Sequence, residues 1–380
     1  MFSDPAVERL WQAGQIRAAY EASSLPGPAT SDHPFRDPIA RLDAARLAHE
    51  HGTLCWYAAK FAECRVALDR AHGERTTALG AEHPDTLDTL ERLAALAHYT
   101  MAPDAPRQFG DVITKLERVH GAESVRVAIA ERNAAACLRD RGKLEEARAM
   151  IDRSRTVLLR SLPIEHPEVV AVYKVSAMLH GSAGAHQAAH DDARLAVDLG
   201  TRVWGAEHPF VANADLSAAR AEIRLGMLKP AVKRLKAAIP RIERGLGSHP
   251  MLAIALSVYA EYELAAASNF QHGEELARRA IAIYGETYPG RATLMLWLLF
   301  QLLFESGQLV EASELYLGLG DDTPRTLRMA MTGKIANHLV RLRDLRQALP
   351  WVERTRDLSD TPEVAAKWAA QAERLRQQIG

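Results

Sequence analysis

The chain has 380 residues, of which 48% are hydrophobic and 25% charged, and its formal net charge is -1. This composition can bury a core, which excludes an intrinsically disordered chain, and the balanced charge excludes a protein whose main task is to coat nucleic acid. The three cysteines, Cys55, Cys64 and Cys137, show no CxxC spacing and are too few for a disulfide framework, so we expect reduced, buried thiols in a cytoplasmic protein.

No targeting or membrane segment is expected. The first 25 residues contain no charged start followed by an apolar run, and the most apolar stretch, 292–304, is too short to span a bilayer. The 38 arginines against 9 lysines are typical of a GC-rich bacterial genome.

An internal repeat organises the chain. His-Pro dipeptides begin at His33, His83, His166, His208 and His249, and the last three are spaced by 42 and 41 residues. The phrase Gly-Ala-Glu occurs at 80–82, 121–123 and 205–207, so a repeat near 124 keeps the period although its His-Pro is lost. A period of this length indicates a stack of supersecondary units.

Each unit has the same internal plan. A proline stands where a first helix begins, since its fixed φ suits the first turn, and the repeated histidines are predicted to be turn and capping residues. A glycine marks the turn to a second helix, and a small residue that allows close helix packing follows five positions later. The glycines are Gly142, Gly184, Gly226 and Gly307, and the alanines are Ala147, Ala189, Ala231 and Ala312.

The units fill the chain as one elongated domain over 1–380. In chain order we predict a degenerate helix pair at 1–32, a capping helix at 361–380, and repeats between them at 33–82, 83–123, 124–165, 166–207, 208–248, 249–287, 288–322 and 323–360. Pro240 and Pro350 fall inside second helices, where we expect local bends.

The turn sequences carry a family resemblance. Gly-Lys-Leu-Glu-Glu-Ala at 142–147 and Gly-Ala-His-Gln-Ala-Ala at 184–189 resemble the inter-helix turn of a tetratricopeptide repeat (TPR), and the period near 42 resembles the kinesin-light-chain type of that repeat. The resemblance implies an all-α fold, an α-solenoid of about eight TPR-type helix pairs in a right-handed superhelix with a C-terminal capping helix. It also implies a concave groove lined by the first helix of each pair.

Motifs for catalysis are missing from the sequence. It contains no phosphate-binding loop, dinucleotide fingerprint, nucleophile elbow or HExxH motif, so we expect no enzymatic activity, cofactor or small-molecule substrate. His186 and His190 are four residues apart and could share a divalent metal, but a solvated helix surface is the preferred interpretation, and we predict no metal site.

Groove-facing positions of the first helices supply the candidate partner-binding residues. They are Arg132, Asn133, Arg139, Lys174, Asn213, Arg220, Arg224, Asn337 and Arg341. The last two are an amide and a guanidinium four residues apart, and they resemble the pair with which peptide-clamping members of the family hold backbone or carboxylate groups. The repeat at 83 differs, since it offers Asp88, Glu91 and His98.

Charge is segregated along the chain, with +5 over residues 323–380 and -6 over the remainder. The preferred hypothesis is a non-enzymatic interaction scaffold or adaptor that binds a partner protein or an extended acidic peptide in the groove. The alternative is a peptide-responsive regulatory receptor that switches a partner by changing the shape of the superhelix. RNA binding by the basic C-terminal segment is a further, less favoured possibility.

Overall fold

A computed structural model describes residues 2–23, 38–287, 289–320 and 323–379. Over these residues the chain forms nineteen α-helices and no β-strand. The helices are α1 (Pro5–Gln12), α2 (Ile16–Ala22), α3 (Pro38–Tyr57), α4 (Phe61–Leu79), α5 (Pro84–Tyr99), α6 (Ala105–His120), α7 (Val125–Asp140), α8 (Leu144–Ser161), α9 (Pro167–Ser182), α10 (His186–Trp204), α11 (Pro209–Arg224), α12 (Leu228–Leu246), α13 (Pro250–Ala266), α14 (Phe270–Thr287), α15 (Pro289–Glu305), α16 (Leu309–Leu317), α17 (Arg325–Arg341), α18 (Leu345–Asp357) and α19 (Pro362–Ile379).

The His-Pro dipeptides begin the first helices as predicted. At His83, His166 and His208 the residue is the N-cap, and its Nδ1 accepts the backbone N–H two residues later at 3.1–3.2 Å. His249 accepts in the same way from the N–H of Met251 at 2.9 Å. These bonds satisfy donors that the start of a helix leaves without an intrahelical partner, so the capping prediction is confirmed here. His33 lies outside the described residues.

The turns between paired helices are also as predicted. The four turn glycines have φ between +73° and +82°, a left-handed conformation that side chains other than glycine rarely adopt. The alanines five positions later are buried at the crossing of the two helices of each pair. A larger side chain there would separate the helices, which explains the repeated small residue.

Two compact units make up the chain. Unit 1 comprises Met1–Tyr262 and Ile283–Gly290, and unit 2 comprises Glu263–Ala282 and Arg291–Gly380. From α1 to α12 each helix packs on the next, and the first helices α5, α7, α9 and α11 also contact their neighbours in that series directly. Within the described part of unit 1, the second helices α4, α6, α8 and α10 make no comparable contact. The first helices therefore lie on the inner side of a curved stack, and we call their shared surface the inner face.

The N-terminal helix pair closes unit 1. Trp11 of α1 is 4% exposed, and its ring packs edge-on against Tyr57 of α3 at 4.3 Å and Phe210 of α11 at 5.6 Å between centroids. His208 Nε2 lies 3.4 Å from the carbonyl oxygen of Trp11. We call these four residues the closing contact, because they join the first and the eleventh helix of unit 1.

Backbone also approaches backbone beside the closing contact. Gly245 of α12 faces the turn between α1 and α2, and a Cβ built on it would lie 2.7 Å from the carbonyl oxygen of Gly14 and 2.6 Å from Pro209 Cγ. Only a residue without a side chain allows this approach. The sequence reasoning predicted the helix pair at 1–32, but not its contact with α11 and α12.

A buried ion-pair network joins α11 to α12. Asp215 and Glu222 are 6% and 1% exposed. Arg234 donates to Asp215 Oδ1 at 2.9 Å and to Glu222 Oε1 at 2.8 Å, and Arg241 donates to Asp215 Oδ2 at 2.6 Å. The buried charges are thus compensated, as their removal from water requires.

Unit 2 ends in the predicted terminal helix. In α19 the side chains of Ala372 and Leu375 are buried against α18, and the Trp368 ring lies over Gly333 of α17. Pro350 lies inside α18, as Pro240 lies inside α12 of unit 1. No helix in the described part of the chain is long and apolar enough to cross a membrane.

Candidate partner-binding face

Two of the predicted binding residues are engaged within the protein. Arg132 is buried on α7 and pairs with Glu168 of α9, while its Nη2 donates to Asn133 Oδ1 at 3.1 Å. Asn133 in turn donates to Glu91 Oε1 on α5 at 2.7 Å. Burial raises the pKa of Glu168, but the charge and hydrogen bond of Arg132 outweigh it and leave that pKa below its ordinary value. Arg132 and Asn133 therefore link three neighbouring first helices.

Lys174 is a cation of the inner face that has no partner among the described residues. The side chain is half-buried on α9 and makes no hydrogen bond or ion pair with any residue that the structure describes. Burial, together with the charges of Arg132 and Arg139, lowers the pKa of Lys174 to about 8. These surroundings disfavour the charged ammonium, and an anion bound beside it would stabilise the charge.

Arg139 of α7 is close enough to Lys174 for its charge to act on the ammonium. Its Nε donates to Asp140 Oδ1 at 2.9 Å, but Nη1 is buried and has no hydrogen-bond partner within the described residues. An unsatisfied guanidinium N–H next to an unpaired ammonium gives this part of the inner face unused capacity for hydrogen bonds to an anion.

The candidates on α11 are more exposed. Arg220 donates to Glu261 Oε1 of α13 at 3.0 Å, and Arg224 lies 3.7 Å from Oε2 of the same carboxylate. Both guanidinia are about half exposed, so these pairs contribute little to stability and can exchange partners. Asn213 lies half-buried on α11 without a described hydrogen bond.

The remaining two candidates lie in unit 2. Asn337 and Arg341 both stand exposed on α17, and no hydrogen bond or ion pair is described for either side chain. The structure thus brings Arg132, Asn133, Arg139 and Lys174 together on α7 and α9 of unit 1, and leaves this pair on a separate unit.

Carboxylates that pair with the candidates were missed by the sequence reasoning. Glu91, which the repeat at 83 offers to the groove, accepts from Asn133, and Asp88 of the same repeat pairs with Arg126. A signal for such pairs was present in the numbering. Asn133 follows Glu91 by 42 residues and Glu261 follows Arg220 by 41, which is one repeat in each case.

His190, one member of the possible metal pair with His186, does not lie on a solvated surface. His190 is buried against α11, with Nε2 3.5 Å from Glu222 Oε1 and Nδ1 3.5 Å from Asp191 Oδ1. The expectation of a solvated surface is therefore wrong for His190, because α11 covers it. In the described part of the chain, His186 belongs to no group that could hold a metal ion.

Known structures with a similar fold are helical repeat proteins. A chain of the APC/C hetero-tetramer Cut9–Hcn1 aligns with a TM-score of 0.63 and 14% identity over 94% of this chain, which spans 59% of that chain. A Rap protein complexed with Competence and Sporulation Factor aligns with a TM-score of 0.61 and 11% identity, covering 89% of this chain and 99% of that one. A kinesin light chain with TPR-like repeats from Podosopora anserina is 21% identical over 55% of this chain and 99% of its own, with a TM-score of 0.42.

No protein-family model matches the sequence, and no curated protein matches it. The fold assignment therefore comes from the helices themselves and from the first two structural likenesses. Paired helices that pack consecutively, with glycine turns and buried alanines, form a TPR-like α-solenoid.

Proposed function

We propose that the protein is a cytoplasmic, non-enzymatic interaction scaffold that binds an extended acidic segment of a partner protein on the inner face of unit 1. The observation that carries this proposal is Lys174, a half-buried ammonium to which no described residue is hydrogen-bonded or ion-paired. A carboxylate side chain of a bound segment would be its counter-ion and would accept from Arg139 Nη1.

The surrounding residues support an extended rather than a compact ligand. Lys174 lies on α9, and the half-exposed guanidinia of Arg220 and Arg224 lie on α11, one repeat further along the same inner face. A segment with acidic residues spaced along an extended backbone could contact both places, and it would compete with Glu261 for the arginines. Contacts from several repeats would then add up over a large surface.

A fluorescent oligoglutamate peptide tests this function. We expect wild-type protein to bind it, and Lys174→Glu to weaken binding at least tenfold, since the change replaces an attraction with a repulsion. Lys229→Glu on α12 is the matched control, because it makes the same charge change on an exposed second-helix position and should leave affinity unchanged. Equal binding by both variants would exclude the inner face as the binding surface.

Dependence on pH provides an independent check. Because the pKa of Lys174 is lowered to about 8, its ammonium loses its proton within an accessible pH range. Affinity for the peptide should fall as pH rises from 7 to 9 in the wild type, and this fall should be absent in Lys174→Arg, whose side chain stays charged. A pH profile that is the same in both proteins would contradict the role given to Lys174.

The closing contact favours a second candidate function, a peptide-responsive receptor. A ligand on the inner face touches helices that the closing contact holds in a closed stack, so binding could be coupled to opening at Trp11 and Phe210. Hydrogen exchange of α1 and α2 with and without saturating oligoglutamate separates the candidates. A receptor predicts a change in protection at α1 and α2, and a passive scaffold predicts protection only at the helices that the ligand contacts, α7, α9 and α11.

A further inference from the structure

Three side chains with metal-binding atoms meet between α3 and α4. One ring nitrogen of His51, the Sγ of Cys55 and a carboxylate oxygen of Glu63 all lie within 4.8 Å of one another. His51 and Cys55 are four residues apart on α3 and so occupy one face of it, and Glu63 stands in the first turn of α4. The group has no role in the proposed function, whose residues lie on α7, α9 and α11.

The histidine is held with one nitrogen free to act as a ligand. Ser23 Oγ donates its proton to the carbonyl oxygen of Tyr20 at 2.7 Å and lies 3.0 Å from His51 Nδ1. When the hydroxyl donates to this carbonyl, Ser23 accepts from His51, and Nδ1 carries the ring proton. The lone pair of the neutral ring is then on Nε2. A hydrogen bond from one ring nitrogen to an outer acceptor is the usual support of a metal-binding histidine.

The carboxylate has a similar outer contact. The hydroxyl of Tyr20 donates to Glu63 Oε2 at 2.6 Å, and this bond raises the pKa of Tyr20 to about 12. Oε1 of Glu63 is left for a ligand bond. Outer hydrogen bonds of this kind are found around metal-binding carboxylates as well.

The donor set determines which ion would fit. Zinc takes imidazole nitrogen, thiolate sulfur and carboxylate oxygen at about 2.0–2.3 Å in tetrahedral sites, whereas calcium and magnesium take oxygen ligands. Tetrahedral coordination at these lengths places ligand atoms about 3.5 Å apart, so the three groups need to approach by about 1 Å. Glu63 is exposed and on the surface of α4, so its side chain can supply most of that movement.

We propose that His51, Cys55 and Glu63 bind one zinc ion, with water as the fourth ligand. The ion bonds to the sulfur, and the S–H proton of Cys55 passes to solvent, so no oxidant or reductant is needed. Since Tyr20 and Ser23 belong to the end of α2, the bound ion would fasten the N-terminal helix pair to α3 and α4.

Cobalt(II) provides a direct probe of the full-length, reduced protein. We expect one ion per chain to give the near-ultraviolet absorption of a thiolate–cobalt bond, which added zinc removes. Cys55→Ser should abolish this absorption. Cys64→Ser is the matched control, because Cys64 is equally buried in the same core cluster but is not part of the group, and this variant should keep it.

Measuring how zinc changes the Tm tests the proposal even if Cys55→Ser fails to fold. Zinc should raise the Tm of the wild type, and Glu63→Gln, a change at an exposed position, should lower zinc affinity about tenfold or more without changing the Tm of the metal-free protein. The proposal is wrong if the wild type shows no cobalt–thiolate absorption, if Cys55→Ser keeps it, or if Cys64→Ser loses it. None of these outcomes affects the proposed function, whose test depends on Lys174.

Discussion

Substitution of Gly245 by alanine tests how tightly unit 1 is closed. In the interior of an exposed helix, glycine to alanine normally stabilises a protein by about 1 kcal/mol, because the unfolded chain loses freedom. In α12 the added Cβ would lie 2.6 Å from Pro209 Cγ and 2.7 Å from the carbonyl oxygen of Gly14, whereas ordinary contact begins near 3.4 Å. The two backbones must therefore separate by about 0.7 Å.

The expected net effect has the opposite sign to the propensity effect. Overpacking of this kind costs about 1–3 kcal/mol, so Gly245→Ala should lower the free energy of unfolding by up to about 2 kcal/mol. Gly110→Ala is the matched control: Gly110 lies inside α6, a Cβ there would meet nothing within 4 Å, and we expect stabilisation of about 1 kcal/mol.

Urea unfolding measures both variants, and hydrogen exchange locates the effect. Gly245→Ala should increase exchange at the amides of α1 and α2 more than at those of α7 and α8, because the substitution acts where the N-terminal helix pair meets α12. If Gly245→Ala stabilised the protein as much as Gly110→Ala, the close approach of α12 to the turn at Gly14 would be refuted.

Three further predictions concern the same region. Burial lowers the pKa of His208 from 6.5 to about 4, so below pH 6.5 the histidine is protonated in the unfolded chain but stays neutral in the folded protein. The free energy of unfolding should therefore fall between pH 6.5 and 4, by about 2 kcal/mol at pH 5. Urea unfolding at each pH should show a smaller fall for His208→Gln. Phe210→Ala removes a ring that Trp11 contacts at 5.6 Å and should cost about 2 kcal/mol with a red shift of tryptophan emission; an unchanged spectrum would count against the closing contact. Asp215→Asn should destabilise by about 3 kcal/mol in urea unfolding because the Arg241 guanidinium loses its counter-ion, and Arg241→Met in the same chain should restore part of that loss.

Local features of the fold could be predicted from the sequence because they depend on neighbouring residues. The capping role of His83 and the turn at Gly142 each involve backbone groups only a few positions away. The closing contact could not be predicted in this way. Trp11 and His208 are 197 positions apart, and they meet because small rotations between helix pairs accumulate over the four intervening pairs.

The candidate binding residues also combine features that the sequence predicts with features that it does not. The positions of Arg132 and Lys174 on first helices follow from the repeat pattern. Whether each cation has a carboxylate partner does not follow from it. Arg132 has Glu168 within reach on the next first helix, while no carboxylate of the described residues pairs with Lys174. Which cation is left unpaired depends on side-chain placement across helices, and a one-dimensional pattern does not contain that information.

Closure of unit 1 also limits how its gene could change. Open repeat arrays tolerate duplication or deletion of whole repeats, because each repeat contacts only its neighbours. Here Trp11 must reach Phe210, and four complete helix pairs, α3 to α10, lie between the N-terminal pair and α11. Adding or removing one pair would move Phe210 away from Trp11, so this part of the array has a fixed copy number.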